Sequence, residues 1–376
     1  MNAWLHCLLA TVLVLLAACG RDRDKASEPE ASAPPDKVLH VYNWADYIGE
    51  STLADFEAKT GIKVTYDTYD SNEILETKML TGKSGYDVVV PSTVFLRRQV
   101  RAGAFQKLDK SKLPNLVHMD SEIMRMITAY DPGNEHAINY VWGTTGIGYN
   151  PSLVEKALGT RTIESWAAVF DPAVAAKLAK CGIAMLDAPS DIIGLVRIYL
   201  GLDLNSVSLQ DLAAAEAALM QVRPYVRYFD SSRFISDLAS GEICVAVGWS
   251  GHVLQARKRG AEAQSPVEVA YAIPQEGAPI WFDMAAIPVD APNPDNAHAF
   301  LNFLMNPEVM AGVSNTIEYA NGNAGSRPFI KESLRNDRSV YPPAEVMKTL
   351  VPYAETVSPE YDRALNRAWT RVKTGS

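Results

Sequence analysis

An α/β fold with doubly wound sheets is what this chain's pattern predicts, and three observations carry that reading. Short apolar runs alternate with stretches of helical period. Tyr86-Asp-Val-Val-Val-Pro91 is a continuous apolar run, suited to a strand buried on both faces. A length of 376 residues, 48% of them hydrophobic, supplies enough core material for two lobes.

The first residues stand apart from that core. Leu8 to Ala18 is apolar and ends at Leu16-Ala17-Ala18-Cys19-Gly20, a small-residue cleavage pattern ahead of a cysteine. A stretch this short does not span roughly 30 Å of hydrocarbon, so residues 1–18 read as a lipoprotein signal with Cys19 as the lipidated residue. No Lys or Arg lies in residues 1–18, which leaves the usual basic segment thin. Residues 19–37 are rich in Arg, Asp, Glu, Ser, Ala and Pro, the composition of a flexible tether. The expected location is the periplasm, with the protein held to a membrane by its N-terminal lipid.

The core begins with an apolar run from Val38 to Tyr42. A helical stretch from Thr52 to Lys59 follows, closed by Gly61, and then the alternation Ile62, Val64, Tyr66. A second helical stretch, about Asn72 to Leu80, stops at Gly82 and leads into the run before Pro91. The style repeats with strand-like Gly182 to Leu186, helical Leu209 to Val222 and strand-like Ile243 to Gly248; helices and turns dominate from Asn296 onward.

Composition narrows the function. A net charge of -9 opposes a phosphate-tracking nucleic-acid surface and favours cationic ligands. Six scattered His form no metal-binding spacing, so neither metal nor cofactor is expected. Gly248-Trp-Ser-Gly-His252 misses the nucleophile-elbow spacing because His252 replaces the second Gly. Gly143-Thr-Thr-Gly-Ile-Gly148 matches neither the phosphate-loop nor the dinucleotide pattern. A binding protein is therefore expected over an enzyme. With Cys7 in the signal and Cys19 lipidated, Cys181 and Cys244 remain as a pair, a disulfide in an oxidising compartment or else two buried thiols.

In open α/β sheets ligands bind beyond the carboxyl ends of strands. The segments there are Asn43-Trp44-Ala45-Asp46-Tyr47, Pro91-Ser92, Asp187-Ala-Pro-Ser-Asp191 and Trp249-Ser-Gly-His252, with a similar mixture at Trp281-Phe282-Asp283. Aromatic faces attract ammonium groups by about 0.5 to 2 kcal/mol each, and carboxylates satisfy their donors. These segments carry aspartates but no Arg or Lys, which suits a cationic ligand without a carboxylate. Taken singly, Trp44, Trp249 and Trp281 serve core packing equally well, and Asp46 also reads as a helix N-cap.

Asn43-Trp44-Ala45-Asp46-Tyr47-Ile48, Thr60-Gly-Ile-Lys-Val64, Asp70-Ser-Asn-Glu73, Val90-Pro-Ser92, Thr144-Thr-Gly-Ile-Gly-Tyr-Asn150, Leu186-Asp-Ala-Pro189 and Tyr341-Pro-Pro343 together resemble the periplasmic putrescine/spermidine-binding proteins. The resemblance runs from about Lys37 to Lys373 and is nearest the putrescine-binding branch. It implies a two-lobed, type II periplasmic-binding-protein fold whose lobes close over the ligand by a hinge. One lobe would take residues 38–142 and about 256–303, the other 143–255 and about 304–376. It also implies capture of a linear polyamine, putrescine or spermidine, and delivery to the membrane permease of an ABC importer by a monomeric carrier. The alternatives are a polyamine-sensing lipoprotein adaptor for a membrane receptor, or a carrier of cadaverine or agmatine.

Residue by residue, the resemblance puts the aromatic box on Trp44, Tyr47, Trp249, Trp281 and Tyr319. It puts the acidic contacts on Asp46, Asp191 and Asp283, and lining on Ser92, Phe95 and Ser231. Asp46 and Asp283 would hold one ammonium, with Asp191 and His252 at the other end. It also implies the Cys181–Cys244 disulfide. Three positions depart from the expected pattern: Ala45 stands for a Ser, Val94 for a small polar residue, and His252 for an Asp that would contact an amine.

Overall fold

Two long strands organise this protein, one of them glycine-bearing, and neither announces itself by simple alternation. The computed structural model describes residues 37–264, 267–354 and 358–375. The expected signal segment, Cys19 and all of the tether but Lys37 lie outside the described residues.

The strands are β1 (Val38–Trp44), β2 (Lys63–Tyr69), β3 (Val88–Val89), β4 (Ala137–Tyr149), β5 (Ile183–Met185) and β6 (Val226–Phe229). They continue with β7 (Val245–Trp249), β8 (Ala270–Ala272), β9 (Ala278–Ala286), β10 (Ala320–Asn321) and β11 (Leu350–Pro352). Their order is β2-β1-β3-β9-β4-β7-β5-β6, with β8 and β10 on β4 and β11 on β9. The β1–β2, β1–β3, β5–β6 and β5–β7 pairs are parallel, as crossover helices require, while β9 and β4 run antiparallel to their main neighbours.

Local chemistry accounts for the element ends. The helix Thr52–Thr60 stops at Gly61, whose φ of 71° is the left-handed conformation glycine tolerates. The helix Asn72–Thr81 starts where the Ser71 side chain accepts from the Ile74 amide. Ser208 caps Leu209–Val222 in the same way through the Asp211 amide.

The core follows the strands. Leu39, Val41, Phe56, Phe300 and Met310 belong to one cluster and Leu75, Leu96, Phe282 and Met284 to a second alongside it. Trp166, Phe170, Leu195, Leu219, Phe234, Val245 and Trp369 form a third. β4 threads between them: Ile138 and Tyr140 pack in the first cluster, Ile147 and Tyr149 in the third. This is the two-lobed fold. Val269 and Ala278 pack with the second lobe, whereas Met305, Val313, Ile317, Tyr319 and Leu334 pack with the first; Val351, Tyr353 and the stretch from Tyr361 to Val372 pack with the second. Along β9, Ala278 packs in the third cluster and Ala285 in the first.

Cys181 and Cys244 are joined by a disulfide. Among the described residues no helix is long and apolar enough to cross a membrane.

Candidate functional site

The residues singled out from the sequence converge on one cavity of about 360 Å³: Trp44, Asp46, Tyr47, Ser92, Asp191, Ser231, Trp249, His252, Trp281, Asp283 and Tyr319 all line it, as do Ala45, Val94 and Phe95. Strand ends explain the gathering. β1 ends at Trp44, Ser92 follows β3, Asp191 lies in the first turn of the helix after β5, and β7 ends at Trp249. On β9 the period of two puts Ile280, Phe282, Met284 and Ala286 into the core, which turns Trp281 and Asp283 to the cavity.

Asp283 is the centre of one end. It is 4% exposed and accepts from the Tyr47 hydroxyl at 2.7 Å and the Ser92 hydroxyl at 2.6 Å. Burial pushes its carboxyl up to about 6, against the lowering pull of those two hydrogen bonds. Among the described residues no cation stands within ion-pair distance of it, so a buried carboxylate faces the cavity without a counter-charge. Ser92 is itself positioned by Asn72, which donates to its hydroxyl at 3.0 Å and accepts from its amide at 3.0 Å.

Asp191 forms a second acidic point. It accepts from the Tyr353 hydroxyl at 3.0 Å and the Thr145 hydroxyl at 3.2 Å, and burial again raises its carboxyl. Between the acids the rings pack edge to face: Tyr47 on Tyr319 at 5.5 Å, Trp281 on Tyr319 at 5.3 Å, His252 on Trp249 at 5.4 Å. Trp44 is anchored by its indole N–H to the Val90 carbonyl at 3.0 Å. Ser231 accepts from the Asp187 amide at 3.1 Å.

Two expectations change with the geometry. Asp46 is neither an N-cap nor a buried partner of Asp283. Ser51 occupies the cap position, and Asp46, in left-handed backbone at φ 52°, is 78% exposed and 3.6 Å from Arg259. The cavity wall also contains cations that the strand-end segments lacked, namely Arg98, Arg197 and Arg259. Each is engaged: Arg98 holds Glu76 with two hydrogen bonds, Arg197 donates to the Ser206 carbonyl and the Tyr361 hydroxyl, and Arg259 pairs with Asp46. His252, enclosed by Phe234, Trp249 and Tyr319, is lowered to about 4 by burial first and Arg259 second, with Asp46 opposing.

The family of bacterial extracellular solute-binding proteins matches residues 51–337. The chain belongs to this family. Over 92% of this chain and 94% of the relative it is 51% identical to the putrescine-binding periplasmic protein SpuD of Pseudomonas aeruginosa. Over 91% and 93% it is 46% identical to the putrescine-binding periplasmic protein PotF of Escherichia coli. The crystal structure of the spermidine/putrescine ABC transporter substrate-binding protein PotD of Streptococcus pneumoniae superposes with a TM-score of 0.76 at 28% identity, covering 90% of this chain and 99% of that one.

Sequence reasoning missed several residues of this solute-binding protein's cavity. Tyr353 carries no motif and reaches the site only through the fold, and Asn72 lies inside the Asp70-Ser-Asn-Glu73 segment without being singled out as a site residue. Gln255 and Arg259 had a readable signal: they stand three and seven residues after His252, on one face of the helix Ser250–Glu262. Among the described residues no cluster of His, Cys, Asp and Glu could hold a metal ion.

Proposed function

We propose that this protein binds a linear polyamine, putrescine or spermidine, outside the cytoplasmic membrane and delivers it to the permease of an ABC importer. The observation that carries the reading is Asp283, a buried carboxylate that faces an aromatic cavity without a counter-charge. An ammonium there replaces the missing charge and donates to the carboxylate, while the Trp and Tyr faces cover the methylenes. The names of the SpuD, PotF and PotD relatives support the same ligand class. The site residues are Trp44, Tyr47, Ser92, Asp191, Trp249, His252, Trp281, Asp283 and Tyr319, with Asp46 and Ser231 at its margin. The protein acts as a monomeric carrier and catalyses no reaction.

The Leu16-Ala17-Ala18-Cys19 sequence supports export and anchoring through a lipid on Cys19. Cys19→Ser then moves the protein from the membrane fraction to the soluble fraction of cells; unchanged fractionation rejects the anchor.

Isothermal titration with putrescine and spermidine tests the main reading. Asp283→Asn is expected to weaken binding by about 3 kcal/mol or more, roughly 100-fold, because the buried ammonium loses its counter-charge. Equal affinity in the variant removes Asp283 from the site, and silence of the parent protein toward both amines rejects the ligand class.

A further inference from the structure

The Tyr353 side chain that meets Asp191 stands on backbone that no strand ladder holds. β11 pairs with β9 only from Leu350 to Pro352, so the polar backbone groups just beyond it need partners elsewhere. Two side chains supply them. Asn205 donates from Nδ2 to the Pro352 carbonyl at 3.1 Å and accepts from the Ala354 amide at 2.8 Å, so it clasps the chain on both sides of Tyr353. The Tyr130 hydroxyl donates to the carbonyl of Tyr353 itself. The two ties come from different lobes: Asn205 follows Leu204 of the second lobe's core, and Tyr130 lies three residues after Ile127 of the first.

The ring on that backbone ends at the cavity's second acid. The Tyr353 hydroxyl donates to Oδ1 of Asp191 at 3.0 Å and the Thr145 hydroxyl donates to the same oxygen at 3.2 Å, so acceptor capacity remains on Oδ2 for an ammonium. A tyrosine side chain has two torsions, each confined to a few wells, so the place of its hydroxyl follows closely from the place of its backbone. We propose that Asn205 is a positioning residue of the polyamine site: through the Pro352–Ala354 segment it sets the Tyr353 hydroxyl against Asp191, and Tyr130 steadies the same segment from the first lobe. The inference rests on the amine reading above. It makes the grip on one ammonium depend on a loop residue that acts through the backbone of another segment.

A double-variant cycle, read by isothermal titration with putrescine and with spermidine, tests this. Tyr353→Phe keeps the ring, removes the donor and is expected to weaken the better-bound amine about tenfold. Asn205→Ala is expected to weaken the same amine about threefold or more in the parent protein, and to change it by less than about 1.5-fold in the Tyr353→Phe background, because the hydroxyl it positions is already gone. A residue that only supports the fold, or one that touches the amine itself, adds its full loss in both backgrounds. Equal losses in the two backgrounds therefore overturn the proposal, and so does parent-like affinity in either single variant. Tyr130→Phe runs the same cycle from the first lobe with one oxygen removed, and it decides the matter if Asn205→Ala does not fold: its loss must also vanish in the Tyr353→Phe background, and a loss that persists there overturns the proposal. A parent protein that binds neither amine rejects the amine reading, and this inference with it; a parent that binds an amine while the losses add rejects the inference alone.

Discussion

Asp283 concentrates the conflict between folding and binding in one carboxyl. Its value is 3.8 for an isolated group and about 6 in the fold, so the folded protein takes up a proton more readily than the unfolded chain. The charged form therefore lowers stability fully above about pH 6, and that loss is relieved as the pH falls toward 4. The cost is on the order of 2 to 3 kcal/mol. Asp283→Asn is accordingly expected to raise the melting temperature of the ligand-free protein at pH 7.5, with the gap shrinking at pH 4.5. A variant that melts lower at both pH values contradicts this. Ligand binding has the opposite sign: a proton competes with the ammonium, so affinity is flat above about pH 6 and declines below it. Titration across pH 4.5 to 8 reads this directly. His252 moves the other way, because burial lowers it to about 4 and keeps it neutral throughout this upper range.

At the scale of elements, β4 and β9 do the positioning, and the glycines of β4 show why. The Gly143-Thr-Thr-Gly-Ile-Gly148 stretch resists classification as a motif because it is the second half of a thirteen-residue strand, fully buried. A Cβ on Gly146 would come within 2.5 Å of the Ala272 carbonyl oxygen and of the Tyr271 hydroxyl, and one on Gly148 within 2.7 Å of Val253. Gly146→Ala must therefore push β8 away from β4. It is expected to destabilise the protein by about 1 to 3 kcal/mol, measured by urea unfolding. Gly312, with nothing within 4 Å of its Cβ position, provides the control in which alanine is tolerated. The element ends were legible because caps and glycines act locally: Leu209–Val222 is found with the bounds the helical period predicts. β3 is shorter than the apolar run suggested, two residues of the six from Tyr86 to Pro91, because its neighbours β1 and β9 overlap it only briefly.

For the whole molecule, the disulfide and the ligand are two independent sources of stability. Cys181–Cys244 closes a separation of 63 residues inside the second lobe, and Cys244 is packed in that lobe's core. On the chain-entropy model its removal costs roughly 4 kcal/mol. Cys181→Ser with Cys244→Ser should thus lower the urea midpoint strongly while leaving polyamine affinity within about threefold, because neither cysteine lines the cavity. A large loss of affinity would mean that the second lobe's core sets the cavity's shape. Ligand acts from the cleft instead. A polyamine at 100 times its dissociation constant should stabilise the protein by about 2.7 kcal/mol, seen as a concentration-dependent melting temperature.

The sequence by itself determined what acts over short range or through composition: the α/β class, the bounds of the helices beginning at Thr52, Asn72 and Leu209, the cysteine pair, and the aromatic and acidic segments at strand ends that meet in the cavity. These are legible because periodicity, capping and residue type express physics within a few residues of one another. Only the tertiary structure decided which aspartate is buried, since Asp46 and Asp283 look alike in sequence and differ only through Tyr47, Ser92 and Arg259. It also decided that Arg98, Arg197 and Arg259 reach the cavity wall already engaged, and that residues from Met305 to Leu334 return to the first lobe. Charge compensation and chain return depend on partners far apart in sequence, and no local pattern encodes a contact between residues 191 and 353.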